Sequence, residues 1–399
     1  MPLRPPRPVP PGRPRRTVRA LPAVLAALSL TACTSTPPDS VAPPATAAGA
    51  AALHRMVADG APGAASLVTR DGRLTSSHFT AAGVADLRNG RKMGRLDHFR
   101  AGSLTKTLVA TVVLQLVGEG RLSLDDRAAD RLPPGVPLTG AHGASDLHRV
   151  TVRQLLDHTS GLFNYTDDPH LAERLYGTGF PAHRYDRYTP TALLRIALGH
   201  RPTAAPGAHY AYSNTNYLVL GLVIRAVTGH PYAEELRRRI LAPFGLRGTS
   251  FPGDSPALPA PHGRGYSRID GHEVDSTALD PSRAGAAGEM ITTLGDLNRF
   301  FAALLGGRLL APRQMSELRG EQATHGAYGL GVYATRLPCG VTVWGHNGDI
   351  NGSYAQTAGT ADGRHLVSFR VNTDAPAGRA AGTAVLAAEF CAPHRNRRA

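Results

Sequence analysis

Strand-forming segments lie at the two ends of the folded part of this chain, and helical segments fill the middle. Two apolar, β-branched runs, 65–69 and 74–84, flank Asp71-Gly72, a dipeptide typical of hairpin turns. Strand character returns only towards the C-terminus, at 328–335, 341–346, 353–360 and 365–371. Because strands need hydrogen-bonding partners, we predict that both groups share one antiparallel sheet. The expected fold class is α+β, with a mainly helical lobe inserted between the terminal strands and helices flanking the sheet.

Helical periodicity begins at Thr105, where apolar residues recur at spacings of three and four until Gly118. The same pattern predicts helices over 151–158, 217–227, 233–241, 293–305 and 377–390. Proline and glycine are frequent between 251 and 288, so little regular structure is expected there. A cleft between the two lobes is the expected place for a functional site.

The N-terminus has the composition of a targeting segment. An arginine-rich, acid-free start leads into the apolar run 20–32, which is too short to span a bilayer comfortably. The run ends in Leu30-Thr31-Ala32-Cys33, which is typical of a bacterial lipoprotein cleavage site with a lipid on Cys33. Ordinary signal cleavage nearby is the alternative. Both interpretations place the mature protein outside the cytoplasm, either secreted or anchored by lipid to the outer face of the membrane.

The chain is predicted to have four parts. A signal peptide over 1–33 precedes a linker over 34–50, which is rich in Pro, Ala, Ser and Thr and cannot build a core. A folded domain follows over 51–393, and a basic tail closes the chain at 394–399. We expect a monomer that touches the membrane only through the possible lipid anchor.

The formal net charge of +14 is concentrated at the termini. Six arginines precede the first acidic residue, Asp39, and three more occupy the basic tail. No basic stripe interleaved with aromatic residues occupies the middle, which argues against a nucleic-acid partner. Three histidines, His142, His148 and His158, lack metal-ligand spacing, and no metal or organic cofactor is expected.

Setting Cys33 aside leaves two cysteines, Cys339 and Cys391. An even pair suits a disulfide in an oxidising compartment, and two unpaired buried thiols are the alternative.

Ser103 and Lys106 stand three residues apart at the start of the first strong helix, where their side chains share one face. A serine hydroxyl becomes a good nucleophile only when a base removes its proton. A neutral lysine can do so if burial lowers its pKa. The 44 basic residues include only two lysines, Lys92 and Lys106, and arginine cannot serve as a base. We predict Ser103 as the nucleophile and Lys106 as the general base.

Two further motifs follow in order along the chain. Tyr212-Ser213-Asn214 precedes the apolar helix at 217–227; the tyrosine can share the proton with Lys106, and Asn214 can bind a substrate amide. His346-Asn347-Gly348 is expected to end the strand at 341–346. Glycine there lets a substrate approach the backbone, and the imidazole can hold a proton near the leaving group.

The three motifs resemble the Ser-x-x-Lys, Tyr-x-Asn and His-x-Gly motifs of the serine β-lactamase and DD-peptidase superfamily, whose class C β-lactamase-like members they match. The closest likeness is to a secreted D-alanyl-D-alanine carboxypeptidase of actinomycete type, over most of residues 51–391. It is carried by AGSLTKTLVATVVLQLVGEGRLSLDD, TVRQLLDHTSGL, YAYSNTNYLVLGLVIRAVTG and YGLGVYATRLPCGVTVWGHNG. The resemblance implies a β-lactamase/transpeptidase-like fold and an acyl-enzyme on Ser103. It also implies a bridge between Cys339 and Cys391.

The resemblance implies substrate-binding positions as well: Asn347, Gly348 and Asp349, with the N–H of Asp349 joining that of Ser103 in an oxyanion hole. Three positions depart from the carboxypeptidase pattern. Asp349 replaces a hydroxyl residue, Tyr333 lies near the place of an arginine, and Arg283 takes the place of an aromatic residue. A carboxylate at 349 would repel a substrate's terminal carboxylate unless its side chain turns away; Arg283 and Arg336 are candidates to compensate.

Three functions fit these residues. The first is a D-alanyl-D-alanine carboxypeptidase or a related peptidase acting on cell-wall peptides. The second is an esterase or β-lactamase on the same scaffold, and the third is a penicillin-binding module that does not hydrolyse its ligand. The expected ligands are peptidoglycan-type peptides, β-lactams or small esters.

Overall fold

The main sheet contains strands from both ends of the folded part. The computed structural model describes residues 47–72, 74–140, 146–375 and 382–391. Within them, six antiparallel strands follow each other in space as β2 (Ser77–Gly83), β1 (Gly63–Thr69), β10 (Leu366–Val371), β9 (Ser353–Gly359), β8 (Thr342–Ile350) and β7 (Tyr333–Arg336). β10 pairs with β1 over all of its residues, from Val371↔Ala64 to Leu366↔Thr69. The predicted sharing of one sheet by the terminal strands is confirmed.

Helices and short elements fill the rest of the described chain. The helices are α1 (Ala47–Ala58), α2 (Leu104–Gly118), α3 (Val152–Leu156), α4 (Pro169–Tyr176), α5 (Phe180–His183), α6 (Pro190–Leu198), α7 (Asn214–Thr228), α8 (Tyr232–Leu236), α9 (Ala242–Phe244), α10 (Leu294–Leu305), α11 (Pro312–Leu318) and α12 (Gly382–Phe390). A π-helical turn at Arg237–Leu241 joins α8 to α9. Two small antiparallel pairs are β3 (Phe99–Arg100) with β6 (Ile291–Thr292), and β4 (Tyr266–Ile269) with β5 (His272–Asp275).

The sheet separates two apolar cores. On one face, α1 and α12 pack Leu53 and Leu386 against Phe369 of β10. On the other, α2 and α10 contribute Val109 and Phe301 to the larger core. α2 is enclosed on nearly all sides, with buried residues from Leu104 to Leu116. Polar side chains on this helix are therefore removed from water, which matters for Lys106.

Several predicted boundaries are corrected by the structure. α1 begins at Ala47, inside the predicted linker, because its alanine-rich first turns continue into residues that pack on the sheet, such as Leu53. The hairpin between β1 and β2 exists, but its loop runs to Ser76 because Gly72 N–H bonds the carbonyl of Arg364 instead of closing a tight turn. β7 starts only at Tyr333, since a turn bonds Gly329 N–H to the Val332 carbonyl.

Two other differences concern the C-terminal half. β8 does not end at the His346 motif; it continues to Ile350, because its pairing with β9 persists to Ile350↔Ser353. The proline- and glycine-rich region contains the β4–β5 hairpin, whose Asp270-Gly271 turn has φ angles of 48° and 77°. That dipeptide is the signal that could have predicted it.

The predicted signal peptide, with Cys33, and the basic tail lie outside the described residues. Within the described ranges, no helix combines the length and apolar character needed to cross a bilayer.

Candidate active site

The amine of Lys106 lies at the centre of a polar cluster at the start of α2. Its Nζ is 2.9 Å from Ser103 Oγ, 2.7 Å from Asn214 Oδ1 and 2.7 Å from the carbonyl oxygen of Ala287. The last two atoms can only accept hydrogen bonds, so they take two N–H groups of the amine. Burial lowers the pKa of Lys106 well below its usual value. A neutral amine bonded in this way directs its lone pair at the Ser103 hydroxyl.

Tyr212 completes the surroundings of the nucleophile. Its ring centroid is 5.0 Å from Lys106 Nζ. Burial raises the pKa of Tyr212, against the opposing effect of the Ser103 side chain, so the phenol keeps its proton. Lys106 is thus the available base, and Tyr212 is a neutral donor beside it.

Asn214 is the first residue of α7, and its polar groups are hydrogen-bonded within the protein. Its Oδ1 accepts from Lys106, and its Nδ2 donates to Thr166 Oγ1 at 3.3 Å. Its backbone N–H donates to Asn164 Oδ1 at 3.0 Å. This arrangement orients the lysine; the expected contact with a substrate amide stays a prediction.

The loop that carries Tyr212 is held by His158, a residue for which no functional role was predicted. His158 Nδ1 accepts from the backbone N–H of Ser213 at 3.2 Å and from Asn216 Nδ2 at 3.1 Å. Its ring lies against that of Tyr212, with centroids 4.2 Å apart. His158 has a φ of 61°, in the left-handed region that few residues other than glycine adopt. No sequence motif distinguishes His158 within the HTSG segment. Its contact with the loop that carries Tyr212 is visible only in the folded structure.

The strand side of the site is formed by β8. β7 begins at Tyr333, opposite Gly345, so the residues of β8 after Gly345 pair only with β9 and border the segment around Ser103. A side chain on Gly348 would overlap the carbonyl of Ala101. A Cβ built on Gly102, whose φ is 52°, would lie 2.6 Å from Asp349 N. The backbone N–H of Asp349 therefore lies beside the nucleophile, where the resemblance expects an oxyanion donor.

His346 is buried in β8 and bonded at both ring nitrogens. Its Nε2 is 2.7 Å from Tyr328 Oη, and its Nδ1 bonds the carbonyl of Asn347. Burial lowers the pKa of His346 to about 3, partly offset by the hydrogen bond to the Asn347 carbonyl, and a protonated Lys106 would lower it further. The ring is close to the machinery, but its nitrogens are already engaged. This differs from the expectation that it handles the leaving group's proton, because Tyr328 occupies Nε2.

The positions that depart from the carboxypeptidase pattern are distributed around the site. Tyr333 Oη donates to Asn347 Oδ1 at 3.0 Å, so a neutral phenol stands near the place that an arginine takes in the carboxypeptidase pattern. Arg283 is buried, and its guanidinium donates to the carbonyl of Leu175 at 2.7 Å and faces the ring of Tyr176. Arg336 is exposed at the far end of β7. Neither arginine replaces the missing charge beside Asn347.

The structure joins Cys339 and Cys391 in a disulfide, with Cα atoms 5.6 Å apart. It connects the β7–β8 hairpin to the end of α12, and so supports the strand side of the site from outside. No cluster of three or more His, Cys, Asp or Glu side chains suited to a metal ion occurs among the described residues.

Comparison with known proteins assigns the family. The Beta-lactamase family model matches residues 47–392. The chain belongs to this family. Among solved structures, it is similar to the D-stereospecific amidohydrolase from Streptomyces sp., with 42% sequence identity and a TM-score of 0.80 over 88% of this chain and all of that one.

Two curated relatives are more distant in sequence. Penicillin-binding protein 4 of Amycolatopsis lactamdurans is 28% identical over 74% of this chain and 76% of its own length. A D-aminopeptidase of Cereibacter sphaeroides is 27% identical over 82% of this chain. The chain spans only 60% of that enzyme's length. These similarities identify the protein as a serine hydrolase of the β-lactamase and penicillin-binding family, without fixing its substrate.

Proposed function

We propose that this protein is an amidohydrolase that cleaves amide bonds at D-amino acid residues through an acyl-enzyme on Ser103. The observation that carries the proposal is the hydrogen bonding of Lys106. Asn214 Oδ1 and the Ala287 carbonyl can only accept hydrogen bonds, so they engage the two N–H groups of the neutral amine. The lone pair of Lys106 Nζ is then available to take the Ser103 proton.

The proposed reaction proceeds in two steps. Ser103 Oγ attacks the substrate carbonyl while its proton passes to Lys106 Nζ. The C–N bond then breaks, and the departing amine takes a proton from Lys106 through the Tyr212 phenol. Water hydrolyses the resulting ester and regenerates the Ser103 hydroxyl. The N–H groups of Ser103 and Asp349 are proposed to stabilise the oxyanion in both steps.

The substrate class rests on the relatives and on the strand side of the site. The similarity to a D-stereospecific amidohydrolase and a D-aminopeptidase favours D-amino acid amides and peptides. The neutral Tyr333–Asn347 pair supports this choice, because it offers no cation to a terminal carboxylate. A D-alanyl-D-alanine carboxypeptidase is the second candidate, favoured by the similarity to penicillin-binding protein 4.

Matched substrates test the proposal and separate the candidates. Purified protein is incubated with a D-aminoacyl p-nitroanilide, its L-enantiomer, and a D-Ala-D-Ala peptide with either a free or an amidated C-terminus. We expect hydrolysis of the D-anilide and the amidated peptide, an acyl adduct on Ser103 by mass spectrometry, and no reaction in Ser103→Ala. Cleavage of only the free-acid peptide would favour the carboxypeptidase. Rapid turnover of cephalosporins or esters alone would favour the β-lactamase or esterase, and a stable penicillin adduct without hydrolysis would favour a binding module.

We also propose that the protein works outside the cytoplasm. The Cys339–Cys391 disulfide supports an oxidising compartment, in agreement with the N-terminal targeting pattern. Metabolic labelling with a tagged fatty acid, compared between the natural chain and Cys33→Ser, tests the lipid anchor. Label retained in the variant would exclude Cys33 as the attachment point.

A further inference from the structure

Tyr328 is a buried phenol next to the catalytic cluster, in the turn before β7. Its hydroxyl lies 2.7 Å from His346 Nε2, and its side chain is 2% exposed. The backbone around it is fixed by Thr324, whose Oγ1 accepts from Tyr328 N–H and donates to the Tyr328 carbonyl. The phenol is thus held in one place by bonds that do not involve substrate.

The partners of His346 define its tautomer. The carbonyl of Asn347 can only accept, so His346 Nδ1 must carry a proton to bond it. In the neutral ring, Nε2 then has a lone pair, and Tyr328 is the donor that meets it. Together the two bonds satisfy both nitrogens of a neutral imidazole. In a doubly protonated ring both nitrogens would be donors, but only Nδ1 has a partner that can do nothing except accept.

Several groups face this imidazole, and a charge on either Lys106 or His158 would disfavour protonation of His346. Lys106 approaches from α2. His158, in the segment after α3, is close enough that a charge on His346 would oppose the protonation of His158. The ring of Tyr333 lies 5.4 Å away, centroid to centroid, on β7. No carboxylate is hydrogen-bonded to either ring nitrogen among the described residues.

We propose that Tyr328 is a positioning residue whose hydroxyl holds His346 in the neutral Nδ1–H tautomer. The Nδ1–H then bonds the carbonyl of Asn347 and fixes the part of β8 that leads to Asp349. In this role His346 does not carry protons to or from the substrate; it supports the strand that faces Ser103. The proposal concerns the resting protein, although its effect on rate rests on the proposed function.

The test removes only the hydroxyl, with Tyr328→Phe, and uses Tyr210→Phe as the matched control. The ring of Tyr210 stacks on that of Tyr328 with centroids 5.9 Å apart, so both variants lose one hydroxyl from the same aromatic cluster. Nitrogen NMR of the resting protein reports the tautomer directly, with the His346 signals identified by their absence in His346→Asn. We expect a single Nδ1–H tautomer in the natural protein and in Tyr210→Phe, and a mixed or charged ring in Tyr328→Phe.

The acylation rate gives a second readout. Losing one hydrogen bond should slow acylation in Tyr328→Phe by about tenfold. It should also add an acid limb to the pH profile, since the freed Nε2 can take a proton, whereas Tyr210→Phe should keep the natural profile. An unchanged tautomer in Tyr328→Phe, or equal damage in Tyr210→Phe, would overturn the proposal. If the natural protein hydrolyses none of the substrates above, the proposed function fails, and the NMR result still decides the role of Tyr328.

Discussion

The two sides of the active site obtain their geometry in different ways. On the helix side, Ser103 and Lys106 are one turn apart, so any α-helix starting there brings them together. On the strand side, Asp349 reaches the nucleophile through the register of β8 on β9, Asp349↔Tyr354, and through close packing against Gly102. Local spacing therefore determines the relative positions of the nucleophile and the base. Long-range strand pairing determines the positions of the groups expected to contact the oxyanion and the substrate.

The largest expected effect comes from removing the base on the helix side. In Lys106→Arg the guanidinium stays protonated and cannot act as a base, so acylation should fall by roughly 10²–10⁴-fold. Lys106→Met also removes the base, but with an uncharged side chain that suits the buried position. In the natural enzyme, activity should decline as the pH falls through the lowered pKa of Lys106, because the protonated amine is no longer a base.

Lys92→Arg is the control for this prediction, because Lys92 is the other lysine of the chain and is exposed. It should retain full activity. Rates are measured by single-turnover acylation, and circular dichroism checks that the variants fold. Near-normal acylation in a folded Lys106→Arg would refute the assignment of the base.

An intermediate effect is expected where the two sides meet. In Gly102→Ala the new methyl group would lie 2.6 Å from Asp349 N and push the strand away from Ser103. Loss of an oxyanion donor costs about 10²–10³-fold, so acylation should fall by that factor. Labelling by a fluorescent penicillin follows the rate.

Gly90→Ala separates this displacement from backbone strain. Gly90 has a φ of 71°, but its added methyl group would meet no atom within 4 Å. It should lose some stability and no activity. Similar activity losses in both variants would mean that strain alone, and not the contact between the two sides, explains the effect.

The smallest effect on activity is expected from the disulfide that supports the strand side from outside. Cys391→Ser should lower the free energy of unfolding by about 4 kcal/mol, the chain-entropy value for a separation of 52 residues. At 25 °C the remaining protein should acylate at nearly the natural rate. Urea denaturation gives the stability, and Cys339→Ser should match it because both variants break the same bond. A large activity loss at unchanged stability would show that the bond positions β8 itself.

Sequence patterns predicted the fold class and most helices, because apolar periodicity and turn dipeptides reflect local preferences. They also found Ser103 and Lys106. They missed His158 and Tyr328, whose contacts join segments far apart in the chain, with Ser213 and His346 respectively. They also ended β8 too early, because a strand's length depends on its partner as well as on its own residues.

By itself, the sequence determined a serine and a lysine on one helical turn, two strand groups that require each other, and a chain with two cysteines left to pair. Local sterics and hydrogen-bonding needs are sufficient for those conclusions. Only the tertiary structure decided that the Lys106 amine bonds Asn214 and Ala287, that Tyr333 bonds Asn347, and that Tyr328 bonds His346 Nε2. Burial and partner geometry, which set protonation and tautomer, exist only once the chain has folded.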